Sequence, residues 1–301
     1  MSNDTSKAFK SGFVNIVGNP NVGKSTLMNK LVGDKVSIIS NKSQTTRHRI
    51  IGIVNTPEMQ IVYSDTPGVL KPSYKMQEEM LGFSKSALSD ADVLLYVTDT
   101  VEDGMKNAPF VEAVQRSEAP LLVLINKADL GTPETLSGLV SEWQKIFPKA
   151  IEVLPIAAEH NAGITYIKER VEALLPENPP YFDQDAFTDR PARFFVNEII
   201  REKIFLYYQQ EVPYSTEVEV EEFHEGESLI KIRAIIFVER ESQKGIIIGK
   251  GGAALKKVGM MARRDLEKFF EKKIFLELIV RVEKDWRNRE SALEHFGYKI
   301  D

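Results

Sequence analysis

Apolar and polar positions follow different patterns in the two parts of the chain. In the first part, short apolar runs are separated by longer stretches with helical spacing. These runs are residues 13–17, 50–54, 60–64, 93–97, 121–125 and 151–156. Because several are apolar on both faces, we expect a mostly parallel sheet covered by helices on both sides. The runs near 50 and 60 are joined too tightly for a crossover and predict an antiparallel hairpin at one edge.

A proline-rich stretch ends this first pattern, with three prolines between Pro176 and Pro180. We interpret residues 176–187 as a linker between a domain at 1–175 and a second domain at 188–301. The second pattern predicts, in order, a helix, two strands, a short helix, a glycine loop, a longer helix and a strand. The corresponding residues are 188–205, 216–223, 229–238, a short helix leading to the loop at 249–252, 253–270 and 274–282.

Composition restricts the class of protein. The 301 residues are 43% hydrophobic and 28% charged, which is typical of a globular protein and excludes a fibrous or disordered one. The longest apolar runs are far shorter than a membrane-spanning helix, and the N-terminus lacks an apolar stretch of signal-peptide length. The absence of cysteine excludes thiol catalysis and disulfides. We therefore expect a cytoplasmic protein.

The first predicted strand is followed by the stretch GNPNVGKS, residues 18–25. A glycine loop with lysine and serine between a strand and a helix is typical of a phosphate site. Its backbone N–H groups would surround a β-phosphate, and Lys24 would bridge the β- and γ-phosphates. Ser25 is a candidate Mg²⁺ ligand.

Further motifs follow other predicted strands. In DTPG, residues 65–68, Asp65 would hold Mg²⁺ through water and the Gly68 amide would bind a γ-phosphate. In NKAD, residues 126–129, the Asp129 carboxylate can accept from N1 and N2 of guanine, which adenine cannot satisfy. In IAAE, residues 156–159, the Ala158 amide would contact guanine O6. Together these motifs predict a GTP site.

A polar segment, QTTR at residues 44–47, lies between these motifs. We expect Thr46 to complete the Mg²⁺ ligands and to respond to the γ-phosphate, with Thr45 as the alternative.

A second glycine loop, GKGG at residues 249–252, lies in a strongly basic region. Between Arg240 and Lys273 there are ten Lys and Arg against four acidic residues, although the whole chain has a net charge of −5. A basic patch on an acidic protein suggests a polyanionic partner, or else a solvated helix face.

The order of QTTR, DTPG and NKAD resembles the translation-factor-related GTPases. With the α-β-β-α-GKGG-α-β unit that follows, the chain resembles the Era-type bacterial GTPases over residues 12–300. The resemblance implies an α/β P-loop GTPase domain followed by an α+β KH domain of type II. It also implies GTP hydrolysis with Mg²⁺, and binding of the 3′ end of small-subunit (16S) ribosomal RNA during assembly of that subunit.

The residues that match the family motifs are the site predictions. For the nucleotide they are Asn19, Pro20, Asn21, Val22, Gly23, Lys24, Ser25, Thr26, Asp65, Thr66, Pro67, Gly68, Asn126, Lys127, Asp129, Ala157 and Ala158. For the RNA backbone they are Ile248, Gly249, Lys250, Gly251, Gly252, Lys256, Lys257, Arg263 and Arg264. Ile246, Ile247, Ile248 and the strand at 229–238 are candidates for the groove floor beneath the bases.

The chain departs from familiar patterns at two positions. Many GTPases have a glutamine after DxxG, but this chain has Val69, which cannot hold a water molecule. The resemblance therefore implies water positioning by backbone, by a bound K⁺ coordinated by Asn21, or by a partner; a turn role for Asn21 is the alternative. Unaided hydrolysis is expected to be slow, with Lys24, Asn21, Thr46 and Gly68 as the catalytic set. Ala157 stands where the family usually has serine, which is expected to loosen the base-binding loop.

Three hypotheses remain at this point. The first is a GTP-driven switch that gates binding to the small ribosomal subunit. The second is an interaction module whose basic half meets a protein or the inner membrane peripherally, motivated by the amphipathic segment 286–296. The third is a passive RNA-binding protein with GTP as a structural ligand. A monomer is the default expectation.

Overall fold

The computed structural model describes residues 8–102 and 106–299. The chain forms two compact units. The first comprises Met1–Ser37, Thr46–Pro72 and Met80–Asp189, and the second comprises Ile38–Thr45, Ser73–Glu79 and Arg190–Asp301. Two short segments from the N-terminal half therefore belong to the second unit, which the sequence pattern does not indicate. The division of the chain at 175 and 188 stays a prediction.

A six-stranded sheet forms the centre of the first unit. Its strands are β1 (Lys10–Gly18), β2 (Ile50–Asn55), β3 (Met59–Asp65), β4 (Val93–Asp99), β5 (Leu121–Asn126) and β6 (Glu152–Pro155). The order is β2-β3-β1-β4-β5-β6, and every neighbouring pair is parallel except β2 and β3. The predicted parallel sheet and its antiparallel edge hairpin are both confirmed. Because the carboxyl ends of parallel strands lie at one edge, the motifs that follow them meet there.

Among the described residues, four α-helices connect these strands and a fifth follows the last of them. They are α1 (Lys24–Val32), α2 (Lys75–Ser89), α3 (Ala108–Arg116), α4 (Pro133–Ile146) and α5 (Ile164–Leu174). Every residue of β4 is buried, which explains its continuous apolar run. One side of the core is aromatic: the ring of Tyr96 lies 5.5 Å from that of Trp143 and 4.8 Å from that of Phe147.

The proline-rich segment runs along the sheet of the first unit. The Ser11 hydroxyl donates to the Pro179 carbonyl at 2.6 Å, and the Gln60 amide donates to the Phe182 carbonyl at 2.8 Å. Farther along, the Ile53 amide donates to the carbonyl of Phe187 at 2.9 Å. The predicted linker is thus attached to the sheet by hydrogen bonds rather than projecting from it.

The second unit contains the elements predicted from the second pattern. They are α6 (Ala192–Tyr207), β7 (Glu217–Glu225), β8 (Leu229–Val238), α7 (Glu241–Ile248), α8 (Ala253–Phe270), β9 (Lys273–Val282) and α9 (Glu290–His295). Their sheet has the order β7-β8-β9, with β7 antiparallel and β9 parallel to the central strand.

A single hydrophobic face of this sheet packs against α6, α7 and α8. Val258, Ala262 and Leu266 lie one turn apart on α8 and are fully buried. They pack in one cluster with alternate residues of β8, among them Ile232 and Ile236. Helical spacing on one element and alternation on the other therefore produce a common core.

The C-terminal segment packs within the second unit. Trp286 is fully buried and its indole N–H donates to the Ser215 carbonyl at 3.0 Å, and Leu293 is also buried. These contacts occupy the apolar side that motivated the membrane hypothesis. Across residues 8–102 and 106–299, no helix combines the length and apolar character needed to cross a bilayer.

Candidate functional site

The first glycine loop lies between β1 and α1, where two glycines allow close backbone approach. Gly18 has φ of 144°, and a Cβ there would lie 2.1 Å from the Val97 carbonyl oxygen. Gly23 has φ of 97°, and a Cβ there would lie 2.2 Å from Nδ2 of Asn126. Side chains at either position would force the loop open, so the turn depends on glycine.

Lys24 is buried within this loop. Its ammonium donates to the carbonyl oxygens of Gly18 at 3.0 Å and Asn19 at 2.8 Å. Burial lowers the pKa of Lys24 to about 8, and the negative charge of Asp65 opposes that shift. A cation held this way at a helix N-terminus favours a bound phosphate.

Three oxygen-bearing side chains converge beside the lysine. Ser25 Oγ lies 2.9 Å from Thr46 Oγ1 and donates to Asp65 Oδ2 at 2.7 Å, and Thr46 Oγ1 lies 3.2 Å from the same Asp65 oxygen. Thr45 instead donates to the Lys42 carbonyl at 2.6 Å. The geometry therefore brings Thr46, and not Thr45, to the candidate metal ligands.

The donor set fits Mg²⁺. Hydroxyl and carboxylate oxygens are the ligands this ion prefers. Burial raises the pKa of Asp65, and its Oδ1 atom has no hydrogen-bond partner in the part of the chain that the structure describes. A buried carboxylate oxygen without a donor is costly, and a cation would satisfy it.

The DTPG segment is tied down on both sides of Gly68. The Thr66 hydroxyl donates to the Ile16 carbonyl, and the Pro67 carbonyl accepts from Ser84, both at 2.8 Å. A Cβ on Gly68 would lie 2.6 Å from Cα of Pro20. The Gly68 peptide therefore lies against the glycine loop, where a γ-phosphate would be bound.

The base-binding motifs also meet. Asn126 donates to the Val22 carbonyl at 2.8 Å and accepts from the Ala158 amide at 3.0 Å, which joins three motifs. Lys127 donates to the Asn21 carbonyl and pairs with Asp99, both at 2.7 Å. Asn21 adopts a left-handed backbone, with φ of 66°.

Asp129 keeps its carboxylate partly exposed, with 36% of the side chain accessible and His160 Nε2 at 3.6 Å. An exposed acceptor at this edge can receive the paired donors of guanine. Ala157 lacks the family's hydroxyl, but its amide and carbonyl exchange hydrogen bonds of 3.1 Å with Ala162. The backbone thus closes the base-binding loop where a serine side chain is missing.

The second glycine loop connects α7 and α8. Gly249, Gly251 and Gly252 all have positive φ, at 71°, 60° and 79°. A Cβ on Gly249 would lie 2.6 Å from Cβ of Ala254, whereas the space around Gly251 and Gly252 is open. Lys250 is exposed between them. The loop therefore presents backbone without side chains, as contact with a phosphate backbone requires.

A groove of about 350 Å³ begins at this loop and runs between α8 and β9. Lys256 and Arg263 line it, and Lys257 and Arg264 do not. The remaining lining residues are Gly252, Leu255, Gly259, Met260, Leu276 and Leu278.

The groove floor differs from the prediction. Leu276 and Leu278 of β9 line it, whereas Ile247 is fully buried in the core and Ile248 packs against the same core. The strand at 229–238 is the central strand, with its apolar face covered by helices, and the strand that lines the groove is the edge strand β9. The edge position of β9 depends on strand order, which sequence patterns do not report.

Several residues near the nucleotide site were missed by sequence reasoning. Asp99 pairs with Lys127, and Glu102 and Asn107 contact Asn19. A polar residue at the end of an otherwise apolar strand was the available signal for Asp99. Asn107, before a proline-containing helix start, looks like an ordinary helix cap.

Comparison with known proteins agrees with this geometry. A family model described as "50S ribosome-binding GTPase" matches residues 13–127, and a model described as "KH domain" matches residues 211–287. The protein is a P-loop GTPase with a C-terminal KH domain, which confirms the predicted fold class.

Full-length relatives define the family more closely. Proteins named GTPase Era from Geotalea uraniireducens and Staphylococcus haemolyticus are 44% and 40% identical to this chain. The alignments cover 98% and 97% of it, and 100% and 98% of those relatives. The chain belongs to the Era family of GTPases, as the motif order predicted.

Two solved structures resemble the whole chain. Each has a TM-score of 0.92 at 39% identity and covers 97% of this chain and 100% of its own. One is a variant of Aquifex aeolicus Era bound to GDP·AlF₄⁻, and the other is Era in complex with MgGDPNP and nucleotides 1506–1542 of 16S ribosomal RNA.

Proposed function

We propose that this GTPase is a switch whose nucleotide state controls binding of its KH domain to the 3′ region of small-subunit ribosomal RNA during subunit assembly. One observation carries the proposal: the loop leading to Thr46 contributes its segment Ile38–Thr45 to the second unit. The elements that would sense a γ-phosphate and grip RNA are therefore linked by a short path.

That path has two hydrogen-bonded steps. Lys42, four residues before Thr46, donates its ammonium to the carbonyl oxygens of Phe205 and Tyr208 at the end of α6. The Tyr208 hydroxyl donates at 2.6 Å to the carbonyl of Ile247, two residues before Gly249. A shift of the Thr46 loop would pull on the end of α6 and hence on the glycine loop.

The other N-terminal segment of the second unit, Ser73–Glu79, makes further contacts within that unit. The Tyr74 hydroxyl donates to Gln44 at 2.6 Å, and the Arg287 guanidinium lies 4.5 Å from the centre of the Tyr74 ring. Lys75 pairs with Glu290 at 2.8 Å. These contacts support the proposal that the second unit responds when the residues that follow DTPG rearrange.

For hydrolysis, we assign Ser25, Thr46 and Asp65 to Mg²⁺, which supplies charge neutralisation at the phosphates when bound. Lys24 holds the β- and γ-phosphates, and the Gly68 amide donates to the γ-phosphate. Backbone, a K⁺ ion at Asn21 or a partner would position the water, since Val69 cannot. Slow unaided hydrolysis and stimulation by K⁺ stay predictions.

The RNA assignment rests on charge, groove and relatives. Exposed Lys250 and the groove cations Lys256 and Arg263 match a single-stranded phosphate backbone. The matching GTPase family is described as binding the 50S ribosomal subunit, but that match covers only residues 13–127. The Era complex with 16S RNA covers the KH domain as well, and it supports the small subunit.

The test compares affinity for a short single-stranded RNA with GDPNP and with GDP bound. We expect tighter binding with GDPNP. Lys42→Ala should remove that difference while preserving affinity for both nucleotides. Gly251→Asp combined with Gly252→Asp should abolish RNA binding and leave nucleotide binding intact.

Equal RNA affinity in the two nucleotide states of the unmodified protein would rule out the switch. Single-turnover phosphate release in potassium and in sodium buffer distinguishes the switch from a passive RNA-binding protein. If GTP is only a structural ligand, no phosphate is released in either salt. We also propose that the protein is cytoplasmic and monomeric. The switch described above requires no contact with a membrane.

A further inference from the structure

The position normally occupied by a catalytic glutamine offers only its backbone. Val69 is 4% exposed and its side chain lies in the hydrophobic core. Both polar groups of its backbone are engaged: the amide donates to the Gly18 carbonyl at 3.2 Å, and the carbonyl accepts from Nδ2 of Asn107 at 3.0 Å. The residue after DTPG is thus held from two sides.

Asn107 is not used as its position suggests. It precedes α3, and its carbonyl accepts from the amides of Phe110 at 2.9 Å and Val111 at 3.1 Å. Asparagine is a favoured capping side chain. Within the described residues, however, this side chain makes no capping bond, and its Nδ2 group donates to Asn19 Oδ1 and to the Val69 carbonyl.

The half-buried carboxylate of Glu102 determines the direction of these bonds. Burial raises the pKa of Glu102, and two neighbours oppose that shift: the Thr98 hydroxyl, which donates to Glu102 at 2.8 Å, and the nearby Asn19 side-chain amide. Because a carboxylate only accepts, Asn19 must turn its NH₂ group toward Glu102 and its oxygen toward Asn107. The NH₂ group of Asn107 is then directed at Asn19 and Val69 together.

We propose that Asn107, oriented by Asn19 and Glu102, is a positioning residue for GTP hydrolysis. It holds the Val69 peptide and so fixes the preceding Gly68 amide where the terminal phosphoryl group develops negative charge. The Pro67 carbonyl is anchored on the other side by Ser84. A preorganised donor contributes most when it needs no rearrangement in the transition state, and this network holds the Gly68 amide in place before the reaction begins.

A purely structural role makes a different prediction. If the network only stabilised the loop before α3, its loss would lower the stability of the folded protein and weaken the binding of every nucleotide equally. If it positions Gly68, its loss would weaken the transition state selectively. The complex with GDP·AlF₄⁻, which mimics the transferring phosphoryl group, separates the two.

The test is Asn107→Asp. This variant keeps the shape of the side chain but replaces the NH₂ donor by an oxygen, which would face two other acceptors, Asn19 Oδ1 and the Val69 carbonyl. We expect kcat for GTP to fall about tenfold and the affinity for GDP·AlF₄⁻ to fall by a similar factor, with GDP affinity within about twofold. Asn178→Asp makes the same chemical change at the half-buried Asn178, whose Nδ2 donates to the Tyr181 hydroxyl at 3.0 Å. This control should change none of these values.

A second pair of variants keeps the proposal testable if Asn107→Asp does not fold. Glu102→Gln retains an acceptor for Asn19 and should behave like the unmodified protein, whereas Glu102→Ala should lower kcat severalfold with GDP affinity unchanged. Unchanged kcat in both Asn107→Asp and Glu102→Ala would overturn the proposal. Equal losses of GDP and GDP·AlF₄⁻ affinity would overturn it as well.

Discussion

The Tyr208 hydroxyl donates a 2.6 Å hydrogen bond to the carbonyl oxygen of Ile247. This bond joins the end of α6 to the residues that lead into the GKGG loop. Tyr208 is 5% exposed, and burial raises the pKa of its hydroxyl, so the group stays protonated as a donor at neutral pH.

Removing that hydroxyl should weaken RNA binding more than nucleotide binding. In Tyr208→Phe the Ile247 carbonyl loses its donor, which should cost about 1 kcal/mol of unfolding free energy. We expect RNA affinity to fall severalfold and GTP affinity to stay constant, because the nucleotide motifs are untouched. Urea denaturation and RNA titration measure the two effects. Tyr207→Phe, on the more exposed neighbour, is the matched control.

Base specificity should follow the chemistry of residue 129. Asp129→Asn replaces one carboxylate oxygen by an NH₂ donor that opposes the N–H groups of guanine. We expect GTP affinity to fall about a hundredfold or more, and xanthosine triphosphate, whose C2 carbonyl accepts, to become the better ligand. Competition against a fluorescent nucleotide measures both. Glu159→Gln, a nearby exposed acid, should leave the preference unchanged.

Nucleotide affinity should depend on pH through Lys24. Its pKa is lowered to about 8 by burial, and a bound phosphate favours the charged ammonium and raises it. Binding then takes up a proton above about pH 8, so affinity should be constant below that value and fall by up to about tenfold per pH unit above it.

The control for this titration is Lys24→Arg. Its guanidinium stays protonated throughout, so the part of the decline that belongs to Lys24 should disappear even if overall affinity is lower. Titration of guanine itself is common to both proteins. Identical profiles for lysine and arginine would contradict the assignment.

Metal dependence should distinguish the two neighbouring threonines. Chelation of Mg²⁺ should weaken GTP binding and stop phosphate release, because Ser25, Thr46 and Asp65 would lose their shared cation. Thr46→Ala should lower the affinity for GTP at least tenfold and the affinity for GDP only slightly, since only the triphosphate contacts this loop. Thr45→Ala, which loses only its 2.6 Å bond to the Lys42 carbonyl, should leave the Mg²⁺ dependence unchanged.

Much of the fold could be predicted because its signals are local. Apolar runs such as 93–97 and 121–125 became the buried strands β4 and β5, and the second pattern produced α6 to β9 in the expected order. The GTP motifs were equally readable, since each lies directly after a strand. In a parallel sheet, that placement alone brings them to one edge.

Contacts between distant segments were not readable from the sequence. Asn107 and Asn19 are 88 positions apart, and no local pattern relates a residue before a helix to the glycine loop. The groove floor was misassigned for a similar reason. Whether β8 or β9 borders the groove depends on which strand occupies the edge of the sheet.

The amino-acid sequence by itself determined the secondary elements, the phosphate and guanine motifs and the basic character of the KH domain, because periodicity, turn chemistry and charge act over a few residues. Only the tertiary structure decided that Thr46 joins Ser25 and Asp65, that Lys42 and Tyr74 belong to the second unit, and that β9 lines the groove. Those outcomes depend on packing between segments far apart in the chain, where many pairings are compatible with the same local pattern.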